Sequence, residues 1–281
     1  MLISGGDVKS IRVGVIQMDS QDHKEKNIKK AYDLLQEAVS RGARLVGLPE
    51  YFSFIGEEEA EMEQAETIPG PTTVQMAAWA KKHEIWLHGG SILERVDGGD
   101  RFFNTTVLLD PRGHIISQYR KIHLFDVDVP DGPAMTESRI RGPGNEIVTC
   151  STPIATVGLS ICYDLRFCEI YRILALKGAQ IVFIPSMFTA FTGRYHWEPL
   201  LRVRAIENQF FVLAPAQIGK KPPYSCYGHS MIINPWGTIL AEAPDSETSV
   251  VADVDLDEMD RIRQQLPCLK NRRPTAYRWP E

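Results

Sequence analysis

The sequence predicts an α/β protein in which two similar sheets pack on each other with helices outside. Three observations lead there. Apolar, β-rich runs alternate with segments of helical period in both halves of the chain, each half then closes on a hairpin turning at "DPRG" or "NPWG", and no linker of Pro, Gly and Ser divides the halves. The chain, 1–281, is therefore read as a single domain, with 269–281 an extended C-terminal tail on its surface.

The elements follow in order. "IRVGVIQM" (11–18) is an apolar run with the character of a central strand. Asp22 is placed as the N-cap of a helix over 24–41, where Ile28, Ala31, Leu35, Ala38 and Val39 recur at helical spacing and Gly42 supplies the stop. "ARLVGLPE" is the second strand and ends at Glu50. The acidic run "EEEAEMEQAE" reads as a solvated helix face, followed by a helix from Thr72 to Lys82 and the strand "EIWLHGGS". "NTTVLLDPRGHIISQYRK" is a hairpin whose second arm finishes at Lys121. Residues 122–146 show no period, and so long a loop inside a compact domain is usually functional or disordered. A second hairpin, "EIVTCSTPIATVGLSIC", ends at Cys162. Then come a helix over 166–177 closed by Gly178, the strand "QIVFIPS", a helix over 196–208, the strand "FFVLAPA", the "NPWG" hairpin, the strand "SVVADVDL" and the helical "DEMDRIRQQL".

Composition removes several function classes. Lys plus Arg (31) against Asp plus Glu (36) leaves a net charge of −5 with no basic block, which argues against a nucleic-acid partner. Neither a secretory signal nor an apolar run of about 18 residues is visible, so a cytoplasmic location without membrane association is expected. The five cysteines (150, 162, 168, 226 and 268) are odd in number and form no C-x-x-C, against a disulfide framework or zinc knuckle. The seven histidines show no metal-binding spacing, and "GPGNE" and "VDGGD" lack the flanks of a phosphate loop. No metal and no cofactor are expected.

Three polar residues terminate three apolar strands: Glu50, Lys121 and Cys162. Ligands of α/β sheets bind beyond the carboxyl ends of strands, so the three can share one pocket. In that case Cys162 is a nucleophile, its pKa lowered by the Lys121 ammonium and by the N-terminus of the helix that begins near Arg166. Glu50 takes the thiol proton, gives it to a departing amine and later activates water. Lys121 and the Tyr163 N–H stabilise the oxyanion. Phe188, Thr189 and Phe191 follow the strand end "FIPS" and either line the pocket or join the core. Asp164 and Arg166 form a local ion pair that fixes the turn, or Arg166 faces a substrate carboxylate. A rival Cys-His dyad would recruit His196 or His229. Cys150, Cys168, Cys226 and Cys268 are read as packing residues.

"GLPEYF", "YRKIHLFDV" and "SICYDLRFCE" resemble the Glu, Lys and Cys motifs of the nitrilase superfamily of carbon-nitrogen hydrolases, and "TGRYHWEPLLRVRAIENQ" and "YGHSMIINPWGTIL" extend the likeness over nearly the whole chain. The resemblance implies an αββα sandwich that pairs through its helices into an αββααββα homodimer or a higher homo-oligomer. It implies Glu50 as general base, Lys121 as electrophile and Cys162 as the nucleophile of a thioester acyl-enzyme. A second family glutamate matches Glu137 of "MTES", orienting the lysine and positioning the substrate. "CYDLRF" is similar to the Nit-type amidases rather than to true nitrilases. The implied reaction is hydrolysis of a linear, carboxylate-bearing amide, such as deaminated glutathione or an ω-amide of an α-keto acid, with Tyr163, Arg166, Phe188 and Thr189 as candidate substrate contacts. The alternatives are a nitrile substrate on the same site and a catalytically silent binding or scaffold protein. Cys168 stands where the family usually has proline, which would fit the first turn of a helix, and an extra thiol there suggests redox inactivation.

Overall fold

The first half of the chain runs β1 (Ser10–Gln17), α1 (Lys24–Ser40), β2 (Leu45–Gly47), α2 (Glu58–Glu63), α3 (Pro71–His83), β3 (Trp86–His88), β4 (Ile92–Arg95), β5 (Phe102–Leu109) and β6 (Ile115–Arg120). A small ribbon, β7 (Asp126–Asp128) with β8 (Ala134–Thr136), occupies the segment without sequence period. The second half continues with β9 (Thr149–Ser151), β10 (Thr156–Leu159), α4 (Cys168–Leu176), β11 (Ile181–Phe183), α5 (Ala190–Asn208) and β12 (Phe211–Ala214). It ends with the ribbon β13 (Ile218–Lys221) and β14 (Tyr224–Tyr227), then β15 (Met231–Ile233), β16 (Ile239–Glu242), β17 (Thr248–Asp255) and α6 (Leu256–Gln265). This computed structural model describes residues 10–96, 98, 101–221 and 224–277. The end of the expected tail, 278–281, lies outside the described residues. Its described part carries a 3-10 turn, Pro274–Ala276.

One sheet has seven strands in the order β17-β1-β2-β3-β5-β4 with β6 on β5, and the other has six in the order β16-β15-β12-β11-β10-β9. Each has a parallel centre, β1-β2-β3 and β10-β11-β12, which is why those strands read as unbroken apolar runs. The division into halves is not strict. β17, from the end of the chain, pairs antiparallel along the whole of β1, with Val13 opposite Ala252.

Val13, Val15, Leu45 and Leu108 of the first sheet share one fully buried cluster with Val157, Leu159, Ile181, Phe183 and Val212 of the second, so the sheets face each other. Contact is close. A Cβ added at Gly47 would lie 2.5 Å from the Phe183 ring, which accounts for glycine in "RLVGLPE". A second cluster, including Leu35, Val46, Met76 and Leu87, joins the first sheet to α1 and α3, while Trp197, Leu201 and Ala205 of α5 join the inter-sheet cluster. The order helix, sheet, sheet, helix is the αββα sandwich.

Several expectations change. Asp22 does not cap α1; His23 holds that position without a side-chain hydrogen bond. The acidic run is not merely a solvated face, because Glu66 is buried and its carboxylate accepts from the Thr72 N–H (2.7 Å) at the start of α3. The strand before the nucleophile stops at Leu159, and a 3-10 turn, Cys162–Arg166, precedes the helix expected over 166–177, which is α4 and starts at Cys168. α5 begins at Ala190, six residues before its expected start. Cys168 and Cys268 are exposed rather than packed, Cys150 is half-buried, and only Cys226 joins Cys162 in being buried.

Candidate active site

Glu50 lies three residues past β2, Lys121 directly after β6 and Cys162 three residues past β10. Loops leaving these strand ends meet at a cavity of about 850 Å³. Its wall includes Glu50, Lys121, Glu137, Cys162, Tyr163, Arg166, Phe188 and Thr189, the eight catalytic and substrate-contact candidates that the resemblance implies. Phe191 is not among them; it is exposed, with its ring against Gly132.

Lys121 is held from two sides. Its N–H donates to the Asn104 carbonyl (2.9 Å), which fixes the backbone as β6 ends. Its ammonium donates to Glu137 Oε2 (2.8 Å) and to Glu50 Oε1 (3.2 Å). Burial alone would lower the lysine pKa, but Glu137 and then Glu50 outweigh it and hold it well above its ordinary value. Glu50 Oε2 accepts from the Met187 N–H (2.7 Å), and its carbonyl accepts from Gln217 (2.9 Å). Glu137 also accepts from the Phe125 N–H (2.7 Å) and the Tyr51 hydroxyl (3.1 Å). Burial raises the Glu137 pKa, and Lys121 and Arg141 together bring it below the ordinary carboxylate value.

Cys162 opens its 3-10 turn at φ +46, a left-handed conformation that strains any residue with a Cβ. The surrounding hydrogen bonds impose it. The Cys162 N–H donates to Pro185 O (2.9 Å), and the Ile161 N–H donates to the buried Asp164 carboxylate (2.8 Å). Tyr51, next to Glu50, is left-handed as well at φ +51. The thiol departs from expectation. Burial, and after it the charge of Glu50, push its pKa well above the ordinary value, and Lys121 only partly offsets them. Burial and Glu50 thus favour the neutral thiol, which faces the Glu50 carboxylate.

Asp164 does not pair with Arg166. It accepts from the Tyr119 hydroxyl (2.6 Å) and the His123 N–H (3.1 Å), and His123 Nδ1 lies 2.7 Å from it, so one carboxylate straps the lysine-bearing strand to the turn of the nucleophile. Arg166 lies over the Phe188 ring at 5.1 Å and the Tyr163 ring at 5.9 Å, with one guanidinium nitrogen 3.3 Å from His196 Nδ1. The Cys-His dyad is overturned. His196 is engaged with Arg166, His229 sits between Glu242 (2.7 Å) and Asp245 (3.2 Å), and neither belongs to the cavity wall.

Asn104, Tyr51 and Arg141 were not anticipated. Asn104 carried a faint signal as a polar amide inside the apolar strand "FFNTTVLL", where Asn is disfavoured. Arg141 is buried in the cavity wall and paired with Glu61, an interaction between segments 80 residues apart that no local pattern announces. Among the described residues no group of three or more His, Cys, Asp or Glu side chains is placed to hold a metal ion. No helix among them is long and apolar enough to cross a membrane.

This arrangement of strands and strand ends is shared. The profile of the carbon-nitrogen hydrolase family matches residues 12–264. The chain belongs to the carbon-nitrogen hydrolase family. It is 41% identical over 270 residues to an omega-amidase NIT2 of Homo sapiens, covering 95% of this chain and 97% of that protein. It is 40% identical over 277 residues to a deaminated glutathione amidase of Dictyostelium discoideum, covering 95% of each. Among solved structures, Saccharomyces cerevisiae Nit3, a member of branch 10 of the nitrilase superfamily, superposes with a TM-score of 0.86 at 32% identity over 96% of this chain and 100% of that one. The αββα sandwich expected from the motifs is therefore the fold of a nitrilase-superfamily member.

Proposed function

We propose that this carbon-nitrogen hydrolase is an amidase cleaving the terminal amide of a small, carboxylate-bearing acid through a thioester on Cys162. Glu50 accepts the thiol proton as Sγ bonds to the carbonyl carbon, and Lys121 with the Tyr163 N–H receives the oxyanion. Glu50 returns the proton to nitrogen, the C–N bond breaks and ammonia leaves. Water then attacks the thioester, Glu50 takes its proton, and the acid and the free thiol are regenerated. Glu137 keeps the Lys121 ammonium aimed at the carbonyl oxygen. No step uses a metal or cofactor.

The observation that carries the substrate class is the state of the cations in the cavity wall. Lys121 faces Glu50 and Glu137, Arg139 faces Glu58, Arg141 faces Glu61 and Lys221 faces Asp19. Among the described residues Arg166 alone in that wall lies against no carboxylate, and it stands four residues past the nucleophile on an aromatic shelf of Tyr163 and Phe188. A guanidinium so placed fits the carboxylate of the acyl group. Phe188 and Thr189 bound the space between. The names of the relatives, omega-amidase and deaminated glutathione amidase, agree with an acid of this kind.

The working unit is taken to be a single-domain, cytoplasmic homodimer. Ile173 and Leu176 of α4 and Val203 and Ile206 of α5 are exposed on two adjoining helices, an apolar face suited to a second copy. The deciding experiment is mass spectrometry of the acyl-enzyme formed with paired amides and nitriles of the same acids. A Cys162 adduct bearing the carboxylate-containing acyl group, with ammonia released from the amide, is expected. Adducts and turnover with nitriles only, or none at Cys162, would overturn the reading.

A further inference from the structure

Asn104 occupies the middle of β5 and is completely buried, opposite Leu93 of β4. Its side-chain amide donates to Glu50 Oε1 (2.8 Å) and more weakly to Glu137 Oε1 (3.4 Å). Its backbone carbonyl accepts the Lys121 N–H (2.9 Å). One residue thus touches all three charged members of the cavity floor. The rest of its amide is left without a partner: Oδ1 is buried and accepts no hydrogen bond. Buried polar atoms are nearly always satisfied, so an orphan calls for a reason. Turning the amide over would put Oδ1 against two carboxylate oxygens, acceptor against acceptor. The orientation with the orphan is the one in which a neutral donor separates two carboxylates that share a single ammonium.

We propose that Asn104 is a positioning residue for the proton transfers of Glu50, holding its carboxylate at the angle from which it takes the Cys162 proton and delivers it to the departing nitrogen. The proposal rests on the reading of Glu50 as the acid and base of an amidase. Leucine at 104 has nearly the same shape and no donor. Without the amide, Glu50 keeps its bond from Met187 and the longer one from Lys121 (3.2 Å) but loses the shorter of the two donors that hold Oε1.

Two acylation reactions separate this role from support of the fold. Both an amide and an activated aryl ester need the thiol proton removed, but only the amide needs a proton delivered to its leaving group. Single-turnover ammonia release from the amide and the burst of aryl alcohol from an ester of the same acid measure the two. With Asn104→Leu the amide rate is expected to fall about a hundredfold and the ester burst by about tenfold or less, with KM little changed. Asn104→Ser, which retains a hydroxyl donor, is expected to fall between wild type and Asn104→Leu, and it carries the same comparison if the leucine variant does not fold. Equal losses on amide and ester, or no loss on either, would overturn the proposal. Glu50→Gln is the control. If it lowers the amide-to-ester ratio while both Asn104 variants leave the ratio unchanged, only the role of Asn104 falls. If Glu50→Gln leaves the ratio unchanged, the reading of Glu50 falls and this inference with it.

Discussion

The floor and the rim of the cavity are both lined with ion pairs, yet they differ in what surrounds the charges. At the floor Glu50, Lys121 and Glu137 are 2%, 2% and 5% exposed, and each is held by directed hydrogen bonds from separate elements. At the rim Arg139 pairs with Glu58 while 71% of its side chain is in solvent. Water and salt screen the rim pair, whereas the floor charges sit at low dielectric and, in the proposed reaction, would need no reorganisation as negative charge develops on a carbonyl oxygen. Similar residue types are thus buried and directed in one place and serve little more than surface solvation in the other. Arg166 falls between them, a cation on an aromatic wall with no acid of its own among the described residues.

The largest expected effect lies at the floor. Lys121→Ala should lower amide kcat by about 10³-fold, the scale seen when an oxyanion donor is removed, in a steady-state ammonia assay. A loss below tenfold would place Lys121 outside the chemistry. At the wall, Arg166→Leu should raise KM for a carboxylate-bearing amide by roughly 10- to 100-fold, the worth of a charged hydrogen bond, and leave an uncharged amide of equal length unaffected. Equal losses on both amides would remove Arg166 as the carboxylate anchor.

The smallest effects concern stability. Arg139→Ala should cost ~1 kcal/mol or less in urea unfolding at neutral pH, because its pair is exposed. Glu137→Gln should cost ~3 kcal/mol, the low end for a broken buried pair, since Glu50 still faces Lys121. The folded pKa of Glu137 is depressed, so its stabilisation is complete above the ordinary value of about 4.3 and is lost as pH falls through the lower folded value. The stability gap between wild type and Glu137→Gln should therefore narrow only in that acid range, which urea midpoints measured against pH would show. A gap that narrows near neutrality, or never, would contradict the pairing.

Much of the site was legible because strands with apolar character that turn polar at their ends advertise themselves, two of them in the buried parallel centres and one, β6, in an antiparallel hairpin. "RLVGLPE", "HIISQYRK" and "TVGLSIC" each run apolar and then turn polar near Glu50, Lys121 and Cys162, and the matching motifs added Glu137. The start of α5 was hidden by Gly193. A glycine reads locally as a breaker, but here it is required because a Cβ would lie 2.5 Å from Tyr227. What the sequence could not show is that two carboxylates, Glu50 and Glu137, already share the charge of Lys121 beside the thiol. Asp164 was assigned to its neighbour Arg166, when its partners are Tyr119 and His123, more than 40 residues away.

The sequence alone determined the alternation of strands and helices and the polar residues at the strand ends, since both follow from side-chain hydropathy and period, which are local properties. Only the tertiary structure decided which charges meet, how deeply they are buried and so which way their protons are biased. Coulomb energy depends on separation and dielectric, and neither is set for Glu50 and Lys121 until the fold brings together residues 71 positions apart.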